Sequence, residues 1–137
     1  MKRNVSQAGF TLVELLVVMF IIGLLAALVA PNFLSRGEQA KVVAAKAQIE
    51  LFGTALDAFH LDVGRYPTSQ EGLPALRERP AGAERWDGPY LKKDIPQDPW
   101  QHPYVYRSPG EKGAYDLFSY GADGVAGGSG TSADVSS

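Results

Sequence analysis

The sequence predicts an α+β protein: one long N-terminal helix packed on a small antiparallel β-sheet. Three observations carry that expectation. An apolar run with a single charge covers Phe10–Ala30. A helical stripe of bulky apolar residues continues from Val42 to Val63. Two short alternating segments, Tyr104–Ser108 and Tyr115–Tyr120, flank the turn sequence Pro109-Gly110-Glu111-Lys112-Gly113, as in a β-hairpin.

The run Phe10–Ala30 contains one ionisable residue, Glu14. As a helix it extends ~31 Å, enough to cross the hydrocarbon core of a bilayer. A carboxylate at that depth costs at least ~2.5 kcal/mol unless it finds a partner. Residues 1–9 precede it as a short leader, a targeting element outside the fold. Lys2 and Arg3 in that leader favour a cytoplasmic N-terminus, which places residues 31–137 across the membrane.

The helical pattern passes the apolar run and reaches about residue 62. Pro31 removes the bond to the Ala27 carbonyl, and Gly23 and Gly37 are further weak points where the helix is prone to kink or melt. Beyond Ala40 the spacing is regular: Val42, Ala45, Ile49, Phe52, Leu56, Phe59 and Val63 line one face, suited to cover a core. Ala40, Ala44, Ala47, Leu51, Ala55 and Ala58 form a parallel stripe of mostly small residues. That stripe fits either close approach of another helix or plain helix propensity. Unbroken from Phe10 to Leu61, the helix is ~78 Å long, a length no small soluble domain needs.

Gly64 suits a helix C-cap, after which a connecting loop occupies residues 65–100. Within it a short helix is expected from Gln70 to Leu76 or Glu78, capped by Thr68 or Ser69. Trp86, Tyr90, Leu91 and Ile95 are lone apolar residues placed to pin the loop to the core, and a third strand is expected near Tyr90–Lys93. The hairpin occupies residues 104–120. The tail occupies residues 119–137; from Gly121 to Ser137 it is rich in glycine and has only two valines as larger apolar residues, so packing alone is not expected to order it.

Composition removes several function classes. The formal charge is −2 from 13 basic and 15 acidic residues, with no basic patch for nucleic acid. There is no cysteine, hence no disulfide and no thiol chemistry. His60 and His102 are the only histidines and lack the spacing of zinc ligands. No phosphate-binding loop, dinucleotide fingerprint or nucleophile elbow is present, so no catalytic residues are expected and the chain is not read as an enzyme.

Gly9-Phe10-Thr11-Leu12, with Glu14 set inside the apolar run and a basic leader before it, resembles the N-terminus of type IV pilins and type II secretion pseudopilins. The resemblance implies cleavage by a prepilin peptidase between Gly9 and Phe10 and N-methylation of Phe10. It also gives Glu14 a role in assembly. Three further segments are similar to the major pseudopilin of type II secretion: Leu61–Thr68, Leu91–Trp100, and Phe118–Gly124. Where that family usually has Gly-Asn within D-P-W-G-N-P-Y, this chain has Gln101-His102.

The resemblance implies a type IV pilin-like fold and a homo-oligomeric helical filament in the periplasm that drives protein export through the outer membrane. Implied partners are minor pseudopilins, an inner-membrane assembly platform and the peptidase. The implied location is the bacterial inner membrane, crossed once, with residues 10–30 as the spanning and filament-core helix. It further implies one calcium ion in the tail, held by Asp123 and Asp134 with oxygens of Ser119, Tyr120 and Ser132, although relatives carry more acids where Gly130, Thr131 and Ser132 stand here. Two other readings stay open at this stage: a type IV pilin or minor pilin-like subunit, and a membrane-tethered periplasmic binding module.

Overall fold

A computed structural model describes residues 9–128 and 130–136. Of the leader, only Gly9 falls inside that range; the remainder lies outside the described residues. Helix α1 runs Leu12–Val63, 52 residues, with Pro31 inside it. The loss of one backbone bond at Pro31 does not end the helix. One compact unit ends at Gly37 and a second begins at Glu38.

In the first unit every described residue is exposed, including Phe10 at 84%. The apolar surface of Leu12–Leu34 therefore has nothing within the unit to cover it. It is long and apolar enough to cross a membrane.

The second unit is built on the other half of α1. Ala45, Ile49, Phe52, Leu56 and Phe59 are fully or almost fully buried, and Val42 and Val63 pack at the two ends of the same stripe. The 3.6-residue period puts them on one face, as the spacing requires. Of the small-residue stripe, Ala55 joins the core, while Ala40, Ala44, Ala47 and Leu51 face outward. Gly64 caps the helix with φ +87°, and its N–H reaches the His60 carbonyl at 2.8 Å.

The chain after the cap is held by Glu71. Its carboxylate takes two hydrogen bonds from Arg65, at 2.8 and 2.9 Å. It also accepts the Thr68 N–H, while Thr68 Oγ1 accepts the Glu71 N–H, each at 3.1 Å, the reciprocal pattern of a capping box. The Arg65 hydrogen bonds hold the Glu71 carboxyl below its ordinary range. The expected short helix shrinks to a 3₁₀ turn, Leu73–Leu76. Gly72 at φ +61° lies outside helical geometry and stops the turn at Thr68 from continuing into it.

Residues 77–104 have no regular structure and are tied down singly. The Trp86 indole donates to the Ala75 carbonyl at 2.8 Å, and the Tyr90 hydroxyl donates to Asp62 at 2.7 Å. The strand expected at Tyr90–Lys93 is absent. The Tyr90 N–H is spent on the Leu76 carbonyl and the Leu91 carbonyl on the Arg77 guanidinium, which leaves no ladder to join.

The sheet has three antiparallel strands in the order β1-β2-β3: β1 Val105–Arg107, β2 Asp116–Ser119 and β3 Val135–Ser136. Tyr106 pairs with Leu117, and Ser119 with Val135. Tyr106, Leu117, Ser119 and Val135 are buried, so the inner face of the sheet closes on α1. The third strand thus comes from the tail. Its order rests partly on packing, contrary to the expectation from composition, because one of its two valines, Val135, is 4% exposed and belongs to the core.

Burial pushes the phenols of Tyr104 and Tyr106 up to about 12. Tyr106 also donates to the Pro67 carbonyl at 2.7 Å. A raised phenol pKa favours the neutral form in the folded state. Its stabilisation is complete below the unfolded value of ~10 and is lost as pH rises towards about 12. The full chain in detergent should therefore lose stability steeply between those limits. Tyr106→Phe should flatten that loss while lowering neutral-pH stability by ~1 kcal/mol through the missing hydrogen bond. Thermal melts across the pH series check this, and an equally steep alkaline loss in the variant would contradict it.

Candidate functional site

Two regions bear on function. The first is the start of α1. Gly9 and Phe10 precede the helix and are exposed. Thr11 is its N-cap: Thr11 Oγ1 accepts the Glu14 N–H at 3.1 Å, and the Thr11 carbonyl accepts the Leu15 N–H at 3.1 Å. This role is legible in Thr11-Leu12-Val13-Glu14, a T-x-x-E capping signature. The Glu14 side chain stands exposed in a shallow groove with Phe10, Leu15 and Val18. Among the described residues its carboxylate makes no hydrogen bond or ion pair.

The second region joins the loop before β1 to the tail. At its centre is Asp98, 3% exposed. Asp98 Oδ1 accepts the backbone N–H groups of Trp100 at 3.0 Å and His102 at 2.8 Å. Asp98 Oδ2 accepts the Ser119 hydroxyl at 2.5 Å, and Ser119 Oγ accepts the Gly121 N–H at 3.1 Å. A buried carboxylate is tolerable only with its lone pairs satisfied, and three donors do so here.

The local sequence explains this geometry. Asp98 opens a β-turn with Pro99 second, and the Gln101 N–H returns to the Asp98 carbonyl at 2.9 Å. The Asp98 N–H pairs with the His102 carbonyl at 2.8 Å. Gln101 then takes the left-handed conformation, φ +65°, the only non-glycine described residue with positive φ. This position follows a turn and favours glycine. From the far side of the turn, the Trp100 indole donates to Glu38 on α1 at 3.0 Å. That bond, followed by one from Lys41, holds the Glu38 carboxyl below its ordinary range.

The tail loop lies against this turn. Gly124 has φ +68°, and a Cβ there would stand 3.0 Å from His102 Cε1 and Nε2. Gly128, at φ +96°, is the second close approach: a Cβ there would stand 3.0 Å from Asp123 Oδ2 and closer still to the Ser132 carbonyl oxygen. Asp123 Oδ1 accepts the Val125 N–H and Asp134 Oδ2 accepts the Gly127 N–H, each at 3.2 Å.

Three of the five residues expected at a metal, Asp123, Ser132 and Asp134, thus converge on the backbone of Gly127 and Gly128. Ser119 has its hydroxyl committed to Asp98. The Tyr120 hydroxyl accepts a bond from Arg107 at 3.2 Å. Their side chains are engaged elsewhere, which leaves their backbone oxygens as the groups the expectation needs. Among the described residues no group of three or more His, Cys, Asp or Glu gathers to hold a metal. Among the described tail residues Asp123, Ser132 and Asp134 offer hard oxygen donors around a glycine, the donor class that calcium takes.

The family described as type II secretion system (T2SS), protein G, matches residues 32–137, and the prokaryotic N-terminal methylation motif matches residues 4–30. The type II secretion system core protein G of Pseudomonas aeruginosa is 51% identical over 140 residues, covering 98% of this chain and 96% of that protein. The core protein G of Vibrio cholerae is 45% identical over 138 residues, with 98% and 94% covered. The crystal structure of the major pseudopilin from the type 2 secretion system of enterohaemorrhagic Escherichia coli matches with a TM-score of 0.62 at 34% identity, covering 77% of this chain and 92% of that one.

Left-handed backbone costs a residue other than glycine ~1–2 kcal/mol, partly offset by glycine's larger entropy loss on folding. Gln101→Gly should therefore raise stability by about 1 kcal/mol, seen as a melting temperature several degrees higher. A melting temperature that stays level or falls would show that the Gln101 side chain contributes contacts worth the strain.

Proposed function

The chain belongs to the type II secretion system protein G family, whose members are structural subunits of the pseudopilus, and from that premise we propose how its two ends serve the filament. The two other readings, a type IV pilin and a tethered binding module, fall away with the family. The observation that carries the proposal is the first unit: an apolar helix whose described residues are all exposed, with one carboxylate, Glu14, near its start. A lipid bilayer covers such a surface before assembly, and like helices cover it afterwards.

Prepilin peptidase cuts between Gly9 and Phe10, and Phe10 is then N-methylated. Gly9 has no side chain to obstruct the scissile bond, and the Thr11 cap starts α1 beyond it. The new amine of Phe10 pairs with Glu14 of a neighbouring subunit. Each charge alone is costly in hydrocarbon, and pairing offsets much of that, so subunits join in one register. Before assembly the chain spans the inner membrane once, with Lys2 and Arg3 on the cytoplasmic side and the second unit in the periplasm. An assembly platform in that membrane adds subunits to the homo-oligomer, and minor pseudopilins share the same filament contacts.

The Asp123 and Asp134 carboxylates with the Ser132 carbonyl would hold one calcium ion in the tail, with backbone oxygens of Ser119 and Tyr120 on the near side. Such an ion would supply positive charge to the two carboxylates and order a loop with little apolar surface of its own.

The filament reading is tested on the full chain produced with its peptidase. The membrane-extracted chain should have an intact mass that begins at Phe10 and includes one methyl group. Glu14→Ala should show the same processed mass and the same membrane insertion, yet few or no filaments by electron microscopy. A different N-terminus, or normal filaments from the variant, would sink the pairing role.

Calcium is tested by melting the full chain in detergent with calcium and with a chelator. Saturation at a hundred times Kd stabilises by ~2.7 kcal/mol through mass action. The melting temperature should rise with calcium in the native chain and not in Asp123→Ala. Identical melting in both conditions would mean that β3 and Val135 hold the tail without an ion.

A further inference from the structure

A continuous set of contacts links the tail loop to α1 within the second unit. The Gly124 backbone lies against the His102 ring. The backbone N–H groups of His102 and Trp100 converge on one carboxylate oxygen of buried Asp98. The Trp100 indole ends the chain of contacts at Glu38, the first residue of the second unit. The turn between them is stiff: Pro99 fixes one φ, two backbone bonds close the turn, and Gln101 is held at φ +65°. Among the described residues His102 Nδ1 is buried without a hydrogen-bond partner, while the ring packs against the tail at Gly124.

We propose that the turn Asp98–His102 is a strut through which the order of the tail loop sets the order of α1 around Glu38. A loose tail frees the His102 ring. The turn then loses its outer support, and the Trp100 indole no longer holds Glu38 in one geometry. A well-ordered tail does the reverse. The start of the second unit's helix is where this matters, because its neighbours there are few: residues 39 and 40 are exposed, and Val42 is the first to pack on the core. The strut gives a loop formed late in the chain control over a helix segment formed early. It rests on contacts between protein groups alone, so it stands or falls separately from the calcium reading.

Hydrogen exchange of the full chain in detergent tests it. Gly124→Ala places a Cβ against the His102 ring on an already left-handed backbone, which disturbs the tail at the contact. Exchange of the α1 amides at 39–43 should rise about threefold, near the low end of the coupling such networks carry. The α1 amides at 52–56, under the sheet, should not change. In a Trp100→Phe background, which lacks the indole donor to Glu38, Gly124→Ala should add nothing further at 39–43. Unchanged exchange at 39–43, or the same rise with and without Trp100, would overturn the strut. Should Gly124→Ala speed exchange at 52–56 as well, by unfolding the unit, His102→Ala decides by the same two comparisons, since it removes the ring without straining the backbone.

Discussion

The Asp98 carboxylate is the constraint on which the second unit depends. It is buried, and its stability rests on the three donors that surround it. Those donors belong to two separate parts of the chain, the turn at Trp100–His102 and the last residue of β2. Each donor missing would leave a buried lone pair unsatisfied at ~1–3 kcal/mol. The turn and the strand are therefore formed together or not at all. Ser119 carries the same logic one step further, since its oxygen accepts the Gly121 N–H and so fixes how the chain leaves the sheet.

Helix α1 works in two media. Its second half follows the rule for a water-soluble amphipathic helix: one bulky face buried and the opposite face charged, with Lys46, Glu50 and Asp57 in water. Its first half has no such division, because apolar residues occur all round. The two patterns meet between Pro31 and Glu38, where the chain becomes polar through Asn32, Ser35, Arg36 and Glu38. One secondary structure thus serves two environments through sequence pattern alone.

The parts of the fold with strong periodicity were legible in advance. The stripe from Val42 to Val63 and the two hairpin strands stand where spacing put them, trimmed by one residue at each strand end. What escaped was non-local. β3 is two residues long and its pairing partner lies in β2, so no local pattern marks it. Tyr90–Lys93 offers only two apolar residues, Tyr90 and Leu91, ahead of two lysines, and its backbone groups are spent on the 3₁₀ turn and on Arg77. Asp98 carries no mark in the sequence beyond the family-like segment Leu91–Trp100, because burial of a carboxylate depends on Ser119, far along the chain. At the candidate metal loop the acids Asp123 and Asp134 follow from the resemblance to the family. The convergence of Ser132 on Gly128 does not, since backbone oxygens leave no mark on residue type.

Val135 closes a core begun at Ala45, and these are the last and first residues of that core in chain order. A chain delivered across a membrane from its N-terminal side presents the helix long before the valine. Until then the inner face of β2 lacks its edge neighbour, and the apolar stripe of α1 is only partly roofed. Such high sequence separation slows closure, because the intervening chain must be ordered before the contact rewards it. The subunit consequently has a built-in delay: it presents the long N-terminal helix first and acquires a finished outer surface last.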